Sequence, residues 1–226
     1  MKRFDREARC ASLLNHPNVV TIFDVGPSQG EGLPYIVLEY VDGRTFRQIV
    51  DSEGPLAFDR ALELVAQVAQ GLSRAHAAGI VHRDVKPANL MCTSSGVVKI
   101  LDFGLAKLVQ SCFAPAGESQ TTAIRPNDIT GAHALVGTPQ YMSPEQVQGL
   151  ALDHRTDLWS LGAVFGFLLT GASLFRGDTV LDLMYAITHR EPELLSNRKL
   201  DQPVRDVLAR ALAKDPRDRY ASKVAM

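Results

Sequence analysis

The chain has 226 residues, of which 46% are hydrophobic, 7% aromatic and 22% charged; this is ordinary globular composition and enough length to bury a core. Its 24 Lys and Arg stand against 25 Asp and Glu, a net charge of −1 with both signs spread along the chain, so neither the basic face of a nucleic-acid binder nor an acidic tail is indicated. The three cysteines, Cys10, Cys92 and Cys112, are far apart and in no CxxC pair, which argues against a disulfide framework and a zinc site and for a reducing, cytoplasmic setting.

The opening Met1-Lys2-Arg3-Phe4-Asp5-Arg6-Glu7 is charged without an apolar core and does not read as a secretory signal. Phe4, Ala8, Ala11 and Leu14 recur at helical spacing over residues 3–14. Pro17 then disfavours helix at His16 and closes that element. Val19–Asp24 and Tyr35–Tyr40 are β-rich runs around a glycine-rich turn, Gly26 to Gly32. The character changes at Val41-Asp42-Gly43, a candidate hinge.

Residues 59–77 carry Ala61, Leu62, Leu64, Val65, Val68, Ala69 and Leu72 and stop at Gly79, a long helix with a glycine terminator. Val97–Leu101 reads as a strand after a Ser94-Ser95-Gly96 turn, and residues 109–137 as a long loop without periodicity. Ser143-Pro144-Glu145 has a capping residue followed by Pro in the first turn, and helical patterns follow at 157–170, 178–189 and 203–213. The uncharged run Leu158–Phe175 is long enough to raise a membrane question. Its glycines and hydroxyl residues, and the polar sequence on both sides, read instead as a helix surrounded by protein. A small mixed piece of about 40 residues thus precedes a mostly helical body.

Chemistry concentrates in Val81-His82-Arg83-Asp84-Val85-Lys86-Pro87-Ala88-Asn89-Leu90. A carboxylate, an ammonium and an amide in one loop suit phosphoryl transfer: the first accepts the proton of an attacking hydroxyl, the second neutralises the migrating phosphoryl, the third ligates a hard cation. Taken alone, such residues also shape ordinary polar turns. Three further segments follow: Lys99-Ile100-Leu101-Asp102-Phe103-Gly104, then Gly137-Thr138-Pro139-Gln140-Tyr141-Met142-Ser143-Pro144-Glu145, then Asp153-His154-Arg155-Thr156-Asp157-Leu158-Trp159. In order and spacing the four resemble the catalytic loop, the metal-binding Asp-Phe-Gly, the Ala-Pro-Glu-type segment and the buried-helix start of a eukaryotic-like Ser/Thr protein kinase of bacterial type.

That resemblance implies an α+β, protein kinase-like fold. Residues 1–41 would be a partial N-lobe made of the αC helix, two strands and a hinge, and residues 42–226 a mostly helical C-lobe with its activation segment at 102–145. It implies ATP and Mg²⁺, with Asp84 as catalytic base, Lys86 on the γ-phosphate, and Asn89 and Asp102 as Mg²⁺ ligands. Glu7 would be the αC glutamate, the backbone of Glu39 and Val41 would meet adenine, and Met91 would floor the base. Thr138 would face the acceptor hydroxyl, Glu145 would pair with Arg219, and Asp157 would accept hydrogen bonds from the catalytic-loop backbone. Arg83 would anchor a phosphorylated activation loop, with Thr121, Thr122 and Thr130 as acceptors and Thr130 nearest the usual spacing. Partners would be proteins bearing Ser/Thr acceptors and a second copy for autophosphorylation, with no nucleic acid and no membrane segment in this chain. The other histidines, His16, His76, His133, His154 and His189, show no ligand spacing and read as surface or packing residues.

The glycine-rich loop and strand lysine of such kinases are not found before Glu7, and the chain stops at Met226 where a last helix is due. The expectation is therefore an N-terminally truncated fragment, with residues 1–41 its least stable part and a full-length parent that could be membrane-anchored. Alternative readings are a non-catalytic pseudokinase-like scaffold, favoured by the absence of the glycine-rich loop and strand lysine from this chain, and a small-molecule phosphotransferase. Intact Asp84, Lys86, Asn89 and Asp102 disfavour the first; Lys86, the long loop and Ser143-Pro144-Glu145 disfavour the second.

Overall fold

A computed structural model describes residues 14–26, 35–102, 139–196 and 200–221. The helix expected over 3–14 and the turn after Gly26 fall outside these residues, as does most of the long loop. Two antiparallel strands come first, β1 (Ile22–Gly26) and β2 (Tyr35–Leu38); Ile22 lies opposite Leu38, the register shifts by one residue before Asp24, and Asp24, Val25 and Gly26 then lie opposite Val37, Ile36 and Tyr35. The expected strand at Val19–Asp24 is thus displaced toward its C-terminal end. Its first residues join a different sheet, where Val20 N–H donates to Ile100 O at 3.0 Å and Ile100 N–H to Asn18 O at 2.9 Å.

That second sheet is β3 (Gly43–Thr45), β4 (Leu90–Thr93) and β5 (Val98–Ile100), antiparallel in the order β3-β4-β5. Gly43 opens β3 because nothing larger fits: a Cβ there would lie 2.4 Å from the Cys92 carbonyl oxygen. The glycine of the candidate hinge is therefore one of close approach. Thr45 then caps α1 (Phe46–Glu53), its side chain accepting from Gln48 N–H while Gln48 returns a bond to Thr45 N–H. Phe46, Ile49 and Val50 are the buried face of that short helix.

Helix α2 (Phe58–Ala77) buries Ala61, Leu64, Val65, Val68, Leu72 and Ala75. It ends in a Schellman turn in which Gly79 N–H donates to His76 O and Ile80 N–H to Ala75 O, with Gly79 at φ +76°. Ser143 caps the short α3 (Pro144–Val147), with Pro144 in its first turn as expected. Next come α4 (Arg155–Thr170), α5 (Val180–His189) and α6 (Gln202–Ala211). Every residue of α4 from Thr156 to Leu168 is buried, which is why its sequence is apolar on all faces. Phe165 meets Phe58 of α2, Trp159 stacks on Phe175 at 5.4 Å between centroids, and Gly162 admits Ala211 of α6. Among the described residues no helix is long and apolar enough to cross a membrane.

Candidate active site

The loop between α2 and β4 carries Asp84, Lys86 and Asn89, and side chains from three directions hold it. Lys86 Nζ lies 2.8 Å from Asp84 Oδ2. Asn89 donates through Nδ2 to Asp84 Oδ2 at 3.0 Å and to the Asp84 carbonyl at 2.9 Å, so its Oδ1 is the atom left to face a cation. A 3₁₀ turn over Pro87–Asn89 closes the loop onto β4 and makes this spacing possible. Asp84 is half-exposed and Asn89 buried, as an accessible carboxylate on a fixed support should be.

His82, wholly buried, ties this cluster to Asp102. Its Nδ1 accepts from Asp84 N–H at 3.2 Å, which leaves Nε2 to donate to Leu101 O at 2.8 Å; the partners fix the tautomer. Leu101 N–H donates in turn to Asn89 O at 2.8 Å. Asp102, the next residue, is exposed and sits at φ +52°, while Arg83 sits at φ +66°. Left-handed backbone at residues with side chains costs roughly 1–3 kcal/mol each and clusters at functional sites.

The loop is anchored from beneath by Asp157, in the first turn of α4. Its carboxylate accepts from His82 N–H and Arg83 N–H, both at 2.8 Å, and meets His76 Nε2 at 2.6 Å. The expected role of Asp157 is realised in these bonds. His76, expected at the surface or in the packing, is the latter: its side chain is 2% exposed and serves as a partner of Asp157. No sequence signal marks a contact that spans 81 positions.

Glu39 also departs from a purely backbone role. Its carboxylate pairs with Lys99 Nζ at 2.7 Å and accepts from Thr21 N–H at 3.1 Å, while Glu39 N–H donates to Thr21 O. Burial pushes the Glu39 carboxyl upward, yet the bonds from Lys99 and Thr21 outweigh it and hold its pKa below the usual value. Glu39 N–H is thus already engaged within the sheet edge. Met91 stands opposite Lys99 in the β4–β5 register, so the two side chains share the sheet face toward Glu39. Val41 is half-buried just before β3. Glu7, Phe103, Gly104, Thr121, Thr122, Thr130 and Thr138 lie outside the described residues.

Farther out, Glu145 and Arg219 form the expected ion pair, two bonds of 2.7 and 2.8 Å with both side chains buried. Gln146, the residue after Glu145, caps α3 and also donates to the Arg83 carbonyl at 2.8 Å. The oxygen donors Asn89 and Asp102 suit Mg²⁺, which keeps part of its shell for phosphate and water. Among the described residues no group of three or more His, Cys, Asp or Glu forms a metal site of its own.

A half-exposed carboxylate, a lysine and an asparagine thus share one loop, and His82 ties them to the backbone that presents a second carboxylate, Asp102; a set of this kind suits the phosphotransferase class. Residues 1–226 match a family model described as protein kinase domain; the chain belongs to the protein kinase family. It is 42% identical over 99% of its length to serine/threonine-protein kinase PknB of Mycobacterium tuberculosis, covering 34% of that protein. It is 40% identical to a probable serine/threonine-protein kinase, SCO3848, of Streptomyces coelicolor over 97% of its length, 31% of the relative. It is also 39% identical to serine/threonine-protein kinase pkn3 of Myxococcus xanthus over 99% of its length, 40% of the relative. The chain therefore spans between 31% and 40% of the length of these relatives.

Proposed function

We propose that this chain carries the catalytic portion of a Ser/Thr protein kinase that transfers the γ-phosphate of ATP to hydroxyls of protein substrates. One observation carries the reading: Asp84, Lys86 and Asn89 share hydrogen bonds within 3.0 Å, and His82 ties them to the backbone that presents Asp102. A polar loop that only shaped a turn would have no need of this convergence.

Asp84 Oδ2 is engaged by Lys86 and Asn89, so Oδ1 is the oxygen that takes the proton of the acceptor hydroxyl. Lys86, drawn from that pair toward the nucleotide, balances negative charge at the transferred group. Asn89 Oδ1 and the Asp102 carboxylate would hold Mg²⁺, which when bound supplies charge neutralisation across the β- and γ-phosphates. The Glu39 carbonyl and the Val41 backbone orient the adenine over Met91. Relatives named serine/threonine-protein kinases support Ser and Thr as acceptors.

Calorimetry with Mg·ATP on the chain and its Asp102→Asn variant, together with transfer of radiolabelled phosphate to a serine peptide by the chain and its Asp84→Asn variant, tests this. The expected result is Mg²⁺-dependent binding lost with Asp102 and transfer lost with Asp84 while binding persists. Binding without transfer in the unsubstituted chain would make it a non-catalytic module, and no Mg²⁺-dependent binding would refute the reading.

A further inference from the structure

Asp84 is aimed by a peptide that the chain does not adopt readily. Arg83 precedes it at φ +66°, a region sparsely populated by residues with side chains. The peptide group joining the two is held at both ends: Asp84 N–H donates to His82 Nδ1 at 3.2 Å, and Arg83 C=O accepts from Gln146 Nε2 at 2.8 Å. On the other side of Arg83 its own N–H is held by Asp157 at 2.8 Å. The His82 and Asp157 bonds arise in the loop itself and in α4. Only the bond from Gln146 comes from α3, 63 positions along the chain.

Gln146 divides its amide between two tasks. Oε1 accepts from Ser143 N–H at 3.0 Å, closing the capping box of α3, and the Gln146 backbone N–H donates to Ser143 Oγ. Nε2 reaches the catalytic loop. The side chain is buried, so water does not readily replace either bond. We infer that Gln146 is a positioning residue for phosphoryl transfer: its amide nitrogen holds the left-handed Arg83 turn, so the first turn of α3 sets the direction in which Asp84 faces the acceptor. The inference rests on Asp84 as the base.

Because the acceptor and donor ends act separately, one substitution divides them. Gln146→Glu keeps an oxygen for Ser143 N–H but loses the donor and sets a second oxygen against the Arg83 carbonyl. Gln146→Met, of similar volume, loses both. The 226-residue chain and the two variants are compared by amide hydrogen exchange and by turnover with Mg·ATP and a serine peptide. In both variants the Arg83 and Asp84 amides should exchange about tenfold faster or more, the size set by one net hydrogen bond. In Gln146→Glu the amides of Val147 and Gln148, which donate to Ser143 O and Pro144 O, should keep their protection, and in Gln146→Met they should lose it. The turnover number should fall about tenfold in Gln146→Glu with KM for ATP unchanged, since the bond orients the base and touches no nucleotide group.

Unchanged exchange at Asp84 in Gln146→Glu overturns the inference, as does loosening of α3 and the loop in equal measure, which is the mark of a merely structural glutamine. Exchange does not depend on turnover. A parent chain that transfers no phosphate would defeat the kinase reading while leaving exchange to decide the role of Gln146.

Discussion

Replacing Arg219 by Met removes a guanidinium whose five N–H groups are all used. Nε donates to Ala213 O at 2.8 Å; one terminal nitrogen donates to Glu145 Oε1 at 2.7 Å and Arg155 O at 3.0 Å; the other donates to Glu145 Oε2 at 2.8 Å and Lys214 O at 3.2 Å. The plane also lies 5.1 Å from the Trp159 ring centre. Side-chain exposure is 0% for Arg219 and 5% for Glu145, so solvent does not screen the pair as it does at a surface, where such pairs are worth about 0–1 kcal/mol. Loss of one member leaves a buried carboxylate and three carbonyls without their donor, a cost of about 3–5 kcal/mol against a total stability of roughly 5–15 kcal/mol. Arg219→Lys should be intermediate, because three rotatable donors replace a planar fork of five. Adding Glu145→Leu to Arg219→Met removes the orphaned charge and should restore part of the loss. Urea unfolding followed by fluorescence of Trp159, the one tryptophan in the sequence, measures all four proteins. A cost below about 1 kcal/mol for Arg219→Met, the range of an exposed pair, or a double variant no more stable than the single one, would refute this account.

Lys214 gives a pH signature. Its Nζ donates to Ile187 O between the Trp159 and Phe175 rings, and burial first, then Arg219, lower its pKa from 10.5 to about 8 against the opposing pull of Glu191. Between those two values the unfolded chain holds a proton that the folded one has released, so folding stability should rise with pH across that window. For a half-buried group the gain is on the order of 1 kcal/mol after solvent screening. Lys214→Met should flatten the rise when urea midpoints of parent and variant are subtracted between pH 8 and 10, which cancels the opposite trend from Tyr141, whose hydroxyl burial pushes up to about 12. Asp157→Asn sets an amide NH₂ among three donors. It should cost about 1–3 kcal/mol and raise hydrogen exchange at His82 and Arg83; unaltered exchange there would contradict its anchoring role. Gly43→Ala forces a Cβ against the Cys92 carbonyl and should destabilise by about 1–3 kcal/mol, whereas a neutral outcome would mean that β3 can slide away from β4.

The parts of this molecule readable in advance are those where chemistry or burial restricts residue type over several positions. Asp84, Lys86 and Asn89 could be picked out because few polar loops need that combination, and α4 because a helix surrounded by protein is apolar all round. Glu145 and Arg219 came from resemblance of order, since nothing local ties residues 74 positions apart. The elements that escaped are short. β3 and β4 have three and four residues, too few for a period, and α1 offered only the Thr45-x-x-Gln48 capping pattern, which passes for loop. His76 and Gln146 escaped for another reason: each is an ordinary helix residue in sequence, and its partner is chosen by how α2, α3 and the loop pack.

What links these cases is the first turn of α4. Thr156 Oγ1 bonds Ser143 Oγ at 2.6 Å, the Arg155 carbonyl accepts from Arg219, Asp157 holds His82 and Arg83, and one turn later Ser160 Oγ donates to Tyr141 O at 2.8 Å. Four side chains or carbonyls within six residues thus fasten the catalytic loop, the cap of α3 and the Arg219 turn to one helix. That helix is buried on every side, so it cannot rotate without opening the core around Trp159, Leu161 and Val164. Reactive groups placed on loops gain their precision from such a support. Substitutions deep in α4 should therefore act on turnover through Asp157 and Gln146 before they act on nucleotide affinity, because the bonds they disturb orient Asp84, the proposed base, and not the residues proposed to meet adenine.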